Sequence, residues 1–394
     1  MLRVLTLSTL FPNAARPTLG VFVERQTLGL AALADVEVQV VSPIGLPPWP
    51  LSRHPHYRLS ADLAEREQWK GLTVHRPRFS VLPRLGERWT ARLMARALLP
   101  LLRELRRDFP FDVIDVEFFW PDGPAAMILS RALGVPFSVK ARGADIQYWG
   151  GRPGIAEQVR EAGQGASGLL AVSAALRQVM IGLGMPDHIR VHYTGVELDR
   201  FRPIDRAAAK ARLGVAGPLL VSAGALIPRK GQAITIEALR HIPDASLILV
   251  GEGPDHASLE RRARDAGLGE RVRLLGNQPH ANLPDLLGAA DAMILPSSSE
   301  GLANVWVEAL ACGTPIVISD IGGAREVLTD EGAGRIVGRE PEAIAAAVRD
   351  LLANPPDPLV VRKTAERFTW DRNATELREH LLRLTSPPGL PGGD

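Results

Sequence analysis

The stretch DAMILPSSSEGLANVWVEALACGTPIVISDIGG (291–323) constrains the fold more tightly than any other part of the chain. It opens with an apolar run of strand length (292–295) closed by Pro296, then a polar Ser297-Ser298-Ser299 loop and Glu300-Gly301. Apolar spacing then predicts a helix over 302–312, which Gly313-Thr314-Pro315 stops before a second buried run at 316–318. Strand, loop, helix, strand is a βαβ unit of a parallel sheet, and such sheets hold ligands beyond their strand C-termini, near helix N-termini. N–H groups and the dipole at such an N-terminus favour anionic or hydroxyl-rich ligands. Glu300 and Glu308 punctuate the unit. If all eight intervening steps are helical, they lie about 12 Å apart along the axis with roughly 80° of rotation. That spacing suits an elongated ligand held at two places rather than one proton shared by two acids. A glutamate favourable to the helix dipole plus a solvated glutamate on the helix face is the other reading.

With its flanks, EGLANVWVEALACGTP (300–315) resembles the Glu-x7-Glu signature of retaining family-4 glycosyltransferases of the GT-B fold. The resemblance implies two doubly wound Rossmann-like α/β domains facing a central cleft. It implies that Glu300 meets the donor sugar and Glu308 the nucleotide ribose. Backbone N–H groups of Gly301, Leu302, Ala303 and Asn304 would reach sugar hydroxyls and the diphosphate.

A chain of 394 residues exceeds the size at which one core stops growing, so two domains are expected. The single cysteine, Cys312, excludes an internal disulfide framework and fits a reducing cytosol; among small apolar neighbours it reads as a packed thiol. The N-terminus lacks a signal-peptide pattern, and no apolar run reaches spanning length. Residues 1–200 carry 24 Lys/Arg against 19 Asp/Glu, and 201–394 carry 22 against 25. A basic first half facing an acidic membrane or acceptor is compatible with this mild contrast.

Strands are expected at 3–8, 36–41, 72–75, 113–118, 136–140 and 168–172 in the first half, and residues 189–193 close the first domain. The loop 9–20, ending in Gly20, precedes a helix at 21–33; it lets backbone approach a ligand closely at the top of a sheet, although Gly and Pro also make plain loops. The pattern Phe11-Pro12…Gly20-Val-Phe-Val-Glu-Arg-Gln26 resembles the corresponding loop in teichuronic-acid-type family-4 enzymes, where it faces donor phosphates and acceptor. His54-Pro55-His56 sits in a Pro-rich stretch read as loop rather than metal site. Residues 84–107 place Arg88, Arg92 and Arg96 at intervals of four beside Trp89, Leu93, Met94, Leu98 and Leu102. Either this amphipathic helix covers the sheet with a solvated Arg stripe, or it docks on anionic lipid headgroups. Pro100 would kink or end it. Lys140-Ala-Arg142-Gly-Ala-Asp145 closes a strand where a site is expected, with Arg142–Asp145 ion pairing as the structural alternative. The segment resembles the family's His-Gly-x-Asp motif, with Arg142 in place of His. A guanidinium binds phosphate or carboxylate but cannot act as a base.

Thr194-Gly-Val-Glu-Leu-Asp-Arg-Phe-Arg-Pro203 resembles the family's inter-domain linker, Thr194 standing for the usual Asn. The division is placed at 1–200 and 201–370, with the helix at about 371–385 returning to the first domain and a disordered tail at 386–394. In the second half, strands are expected at 219–223, 246–250 and 272–275, and helices at 232–240, 342–352 and 374–384. Arg229 and Lys230, two cations just before a helix, are poorly placed for its dipole unless an anion lies between. Two solvated loop cations is the plainer alternative. Gly224-Ala-Leu-Ile-Pro-Arg-Lys230-Gly231 resembles a family motif that carries Lys230 over as a diphosphate contact. Ala225 stands where an Arg is common, and Arg229 is placed to compensate. The resemblance also rests the base on backbone around Gly276 and Gln278.

No Asp-x-Asp, zincin, paired Cys-x-x-Cys or P-loop pattern occurs. The resemblance implies a retaining hexosyltransferase, and the absence of these patterns adds the expectation that it is metal-independent and without a resident cofactor. Glu300, Lys230 and Arg142 are the catalytic candidates. Gly20, Arg229, Gly276, Gln278, Gly301–Asn304 and Glu308 would bind a UDP- or GDP-linked sugar, and Arg142 with Asp145 would face the acceptor. That acceptor is expected to be a glycan or lipid-linked saccharide of the cell envelope, with no nucleic-acid partner and a cytoplasmic location at the inner face of the plasma membrane. A catalytically silent GT-B sugar-binding protein is the alternative, favoured by Ala225, Arg142 and Thr194. A GT-B UDP-sugar epimerase is a further one.

Overall fold

The computed structural model describes residues 1–82 and 86–385. It divides into two compact units, Met1–Thr194 with the chain from Trp370, and Gly195–Thr369. The expected tail at 386–394, and Arg84 and Leu85 of the basic stretch, lie outside the described residues.

The first unit is built on an eight-stranded sheet. Its first strand, Leu2–Leu7, lies between Val36–Val41 and Val113–Val116, both parallel to it. Beyond Val113–Val116 come Phe137–Ala141, Gly168–Ala171 and Arg190–Val191, also parallel. On the other side Leu72–His75 follows Val36–Val41, and Arg66–Trp69 adds an antiparallel edge. The inner strands Val113–Val116, Phe137–Ala141 and Gly168–Ala171 are buried at every position because helices cover both faces, and Asp115, Ser138 and Lys140 are the polar residues among them. Ser173 caps the helix Ala174–Gly182 by accepting the Leu176 N–H at 3.1 Å, as a serine just before an apolar run predicts.

The helix Trp370–Thr385 belongs to this unit although the whole second unit precedes it in sequence. Its Leu377 and Leu381 enter the core of Leu2, Val4, Val23, Leu30 and Val113. Arg378 forks onto Asp35, His380 meets Ser138 at 2.7 Å, and the Asn373 carbonyl lies 2.8 Å from His192 Nε2.

Two expectations need revision here. The His54-Pro55-His56 stretch is not plain loop, since a helix runs over Pro55–Ala61 with proline at its first position, where a missing N–H costs nothing. Pro100 does not end its helix, which is continuous over Thr90–Asp108. Ala91, Met94, Ala95, Leu98 and Leu102 are buried in that helix, and Arg92, Arg96, Arg103 and Arg107 are exposed. The apolar stripe thus covers protein. Among the described residues no helix is long and apolar enough to cross a membrane.

The second unit is an all-parallel six-stranded sheet. Leu219–Ala223 is flanked by Ser246–Val250 and then Val272–Leu274 on one side. On the other side lie Ala292–Leu295, Ile316–Ser319 and Gly334–Val337. The βαβ unit read from 291–323 is therefore present, with its two strands adjacent and in parallel register. In each sheet the order reverses beside the unit's first strand, which creates a switch point where neighbouring loops part.

Candidate functional site

In the second unit the switch point lies between Leu219–Ala223 and Ala292–Leu295, and the loops leaving these two strands carry its charges. Lys230 Nζ donates to Glu300 Oε1 at 2.5 Å, and Arg229 Nη1 lies 3.3 Å from Glu300 Oε2. The two cations are not independently solvated, because one carboxylate gathers both. Glu300 is 9% exposed along its side chain, Lys230 13% and Arg229 35%. Backbone bonds lock the loops together: Ser298 N–H donates to the Arg229 carbonyl at 2.8 Å, and the Arg229 guanidinium reaches the Ser299 carbonyl. An ammonium has three donors, so Lys230 can hold Glu300 and still meet an anion.

The helix after Glu300 starts later than spacing suggests, at Asn304 rather than 302. Ala303 is extended, at φ −76° and ψ 121°, so Glu300, Gly301, Leu302 and Ala303 form a loop. Only the four steps from Asn304 to Glu308 are helical, about 6 Å of rise, and the 12 Å estimate for a fully helical segment does not apply. The loop is held from behind. Gly323 N–H donates to the Gly301 carbonyl at 2.8 Å, and a Cβ on Gly322 (φ +49°) would sit 2.2 Å from the Glu300 carbonyl. Only glycine permits that approach.

Glu308 has a different set of partners. Its Oε1 lies 2.8 Å from His280 Nε2, and His280 Nδ1 lies 2.8 Å from Arg200 Nη2. Arg200 in turn pairs with Glu197 at 2.7 Å. Neither His280 nor Arg200 was singled out from sequence; the only signal available was an arginine in the linker-like segment 194–203 and a histidine shortly after a strand end. Gln278 uses its amide on the Leu275 carbonyl at 2.8 Å, and Gly276 (φ +65°) accepts the Gly251 N–H at 2.8 Å, so both shape the same strand-end loop as His280. Cys312 is buried, and burial pushes its thiol up to about 12, as suits a packed, unreactive group.

In the first unit the switch point lies between Leu2–Leu7 and Val113–Val116. Here Arg142 pairs with Glu117, not with Asp145. The Arg142–Asp145 ion pair, the structural alternative read from sequence, is not formed, and backbone bonding takes its place at Asp145. Asp145 accepts the N–H groups of Phe119 (3.0 Å), Arg142 (3.0 Å), Gly143 (2.7 Å) and Ile146 (3.2 Å). Burial raises the Asp145 pKa, and those N–H bonds oppose it. The Arg142 side chain is 6% exposed and stacks over Phe22 at 4.9 Å. Gln26 bonds Glu117, and its amide oxygen accepts Lys140 Nζ at 2.6 Å. Lys140 also meets His192 Nδ1 at 2.8 Å. Burial pulls Lys140 down to about 7 and pushes Asp115, two residues before Glu117, up to about 6. Asp122 is fully buried and accepts from Thr9 N–H at 2.8 Å, with burial lifting it to about 7. Glu117 and Asp122, at the end of one strand and the start of the next helix, were not proposed from sequence as site groups. Gly20 caps the helix Val21–Ala31 in this unit, at φ +68°, where a Cβ would meet the Leu10 carbonyl at 2.1 Å. Gly20 belongs to the first unit, and Lys230, Gly276, Gln278, Glu300 and Glu308 belong to the second.

Residues 19–200 match the family model described as Glycosyltransferase Family 4, and residues 204–368 match that described as Glycosyl transferases group 1. Among curated relatives, a Bacillus subtilis protein provisionally named as the teichuronic acid biosynthesis glycosyltransferase TuaC is 29% identical over 88% of both chains. The GDP-mannose-dependent α-(1-6)-phosphatidylinositol monomannoside mannosyltransferase of Mycolicibacterium smegmatis is 34% identical over 61% of this chain and 68% of its own. In structure, sucrose-phosphate synthase from Thermosynechococcus elongatus superposes with a TM-score of 0.80 at 20% identity, covering 98% of this chain and 99% of that one.

Proposed function

We propose that this chain, which belongs to glycosyltransferase family 4 and has the GT-B fold, is a retaining, metal-independent hexosyltransferase. Its donor would be a UDP- or GDP-linked hexose, and its acceptor a saccharide or lipid-linked glycan of cell-envelope or exopolysaccharide synthesis. The observation that carries the reading is the convergence of Lys230 and Arg229 on Glu300 at the second unit's switch point.

On this reading Lys230 and Arg229 receive the diphosphate and offset the charge that grows on its oxygen as the bond to the anomeric carbon breaks. Glu300 faces the hexose hydroxyls and holds both cations in place, so that little reorganisation accompanies the step. The loop Gly301–Asn304 offers N–H groups to the sugar and diphosphate, Gly276 and Gln278 frame the base, and Glu308 accepts from the ribose hydroxyls. In the first unit Gly20 serves the donor, and Arg142 and Asp145 serve the acceptor side, Arg142 by holding Glu117. A guanidinium cannot take a proton. The acceptor hydroxyl therefore gives its proton to the departing diphosphate oxygen, while its own oxygen bonds the anomeric carbon on the same face. The exposed arginines of Thr90–Asp108 bring the protein to anionic headgroups at the inner face of the plasma membrane, where a lipid-linked acceptor would lie.

A thermal-shift panel of UDP, GDP and their hexose conjugates, with Mg²⁺ or EDTA, tests the donor site. A ligand at a hundredfold excess over Kd adds about 2.7 kcal/mol of stability. We expect one base to raise Tm equally with and without metal, and Lys230→Ala to abolish the rise. No shift with any of them favours the silent sugar-binding alternative, and a shift only with Mg²⁺ overturns metal independence. The anomeric configuration of the product, read by NMR, tests retention.

A further inference from the structure

His280 stands between two groups that cannot exchange roles. Arginine only donates, so with Arg200 Nη2 at 2.8 Å the Nδ1 atom of His280 must accept. The ring proton is then on Nε2, which donates to Glu308 Oε1 at 2.8 Å. Arg200 also donates to the His280 carbonyl, and its other terminal nitrogen holds Glu197 at 2.7 Å, so the guanidinium is fixed from two sides. His280 is pinned further by the edge of Phe201, with ring centroids 5.4 Å apart. The segment carrying Glu197, Arg200 and Phe201 is itself fastened to the far end of Glu308's helix. Arg362 donates to the carbonyls of Leu198 (2.9 Å), Phe201 (2.6 Å) and Ala311 (2.7 Å). Glu308 is thus held at Oε1, and among the described residues Oε2 has no hydrogen-bond partner, which leaves it as the acceptor for a ligand.

From this geometry we infer that His280 is a positioning residue for nucleotide selectivity: through the Glu197–Arg200–His280 chain it fixes the Glu308 carboxylate for a ribose diol. The inference rests on the reading above that Glu308 meets the ribose. A carboxylate free to rotate would bond the diol less often and would discriminate less between ribose and a sugar lacking those hydroxyls. Glu308 supplies the contact and His280 its aim.

The test is calorimetric titration of UDP, GDP and their 2′,3′-dideoxy analogues into the full chain. Hydrogen bonds to a charged group account for roughly a 10- to 100-fold preference for the ribonucleotide in the unsubstituted protein. Glu308→Ala should abolish the preference. His280→Ala should cut it to a few-fold while leaving dideoxy affinity and turnover at saturating donor nearly unchanged. His280→Gln, whose amide N–H can replace Nε2–H, should restore most of it, and controls for folding if the alanine variant melts early. Loss of preference in Glu308→Ala with full retention in both His280 variants overturns the positioning role alone. Retained preference in Glu308→Ala overturns the ribose reading and the proposal with it.

Discussion

The two switch points use the same chemistry at different depths. In the second unit Lys230 and Arg229 share Glu300, and the cations keep 13% and 35% of their side-chain surface exposed. In the first unit Arg142 and Glu117 make the corresponding pair at 6% and 0%, with Lys140, Asp115 and His192 buried beside them. Arg229, the exposed member, separates from Glu300 at little cost, and Lys230 has spare donors, so an incoming anion can engage both cations. A dry pair is costly to break, because each charge depends on the other for solvation. On the proposed function, ligand capture falls to the second unit's charges, while Arg142 in the first acts by holding Glu117 in place.

Breaking the dry pair should have the largest effect on stability. Arg142→Ala leaves Glu117 uncompensated and should cost about 3–5 kcal/mol, read as a lower denaturant midpoint. Arg142→Met combined with Glu117→Leu should recover most of that loss. If Arg142→Ala unfolds no more easily than the unsubstituted chain, the two switch points do not differ in kind. Lys230→Ala should do the reverse, lowering turnover by roughly 10²–10³-fold, as loss of one preorganised donor to a developing oxyanion does, with little change in the melting temperature. An early-melting Lys230→Ala variant would make its ion pair structural as well.

A second effect on stability, confined to the first unit, should appear with pH. Asp122 is pushed up to about 7 from the ordinary 3.8. Between those values the folded chain keeps a proton that the unfolded chain has lost, so this group's contribution to stability falls as pH rises from about 4 to 7. Asp122→Asn keeps the shape without the titration. It should match the parent near pH 4 and melt later than it at pH 8, and an identical pH slope in both proteins would refute the buried carboxylate's role. Least of all should change with Arg92→Gln and Arg96→Gln. Stability should move by no more than about 0.5 kcal/mol, while flotation with vesicles containing phosphatidylserine should fall. Unchanged flotation would remove the membrane contact.

What was legible in sequence followed chain-local rules. Short apolar runs closed by Gly or Pro marked 292–295, 316–318 and 246–250, because a strand covered on both faces is apolar at every position. The helices Asp122–Leu133 and His256–Asp265 went unread, the first because Pro121 and Gly123 look like turn residues, the second because its mean hydropathy is low and its core face is only Leu259 and Ala263. The start of the helix at Asn304 was misjudged because Leu302 and Ala303 are buried like helix residues while their loop is shaped from outside by Gly322 and Gly323.

The sequence by itself determined the two βαβ series, the family signature 300–315 and the presence of Lys230, Glu300 and Glu308. Apolar periodicity and motif spacing are written into neighbouring residues, and no distant contact is needed to read them. Tertiary structure alone decided the partners. That Arg142 takes Glu117 rather than Asp145, that one carboxylate gathers both Arg229 and Lys230, and that His280 ties Glu308 to Arg200 depend on loops brought together by strand order. A charge in a sequence has many candidate counter-charges, and only the fold, by removing water from around some of them, selects which pair must form.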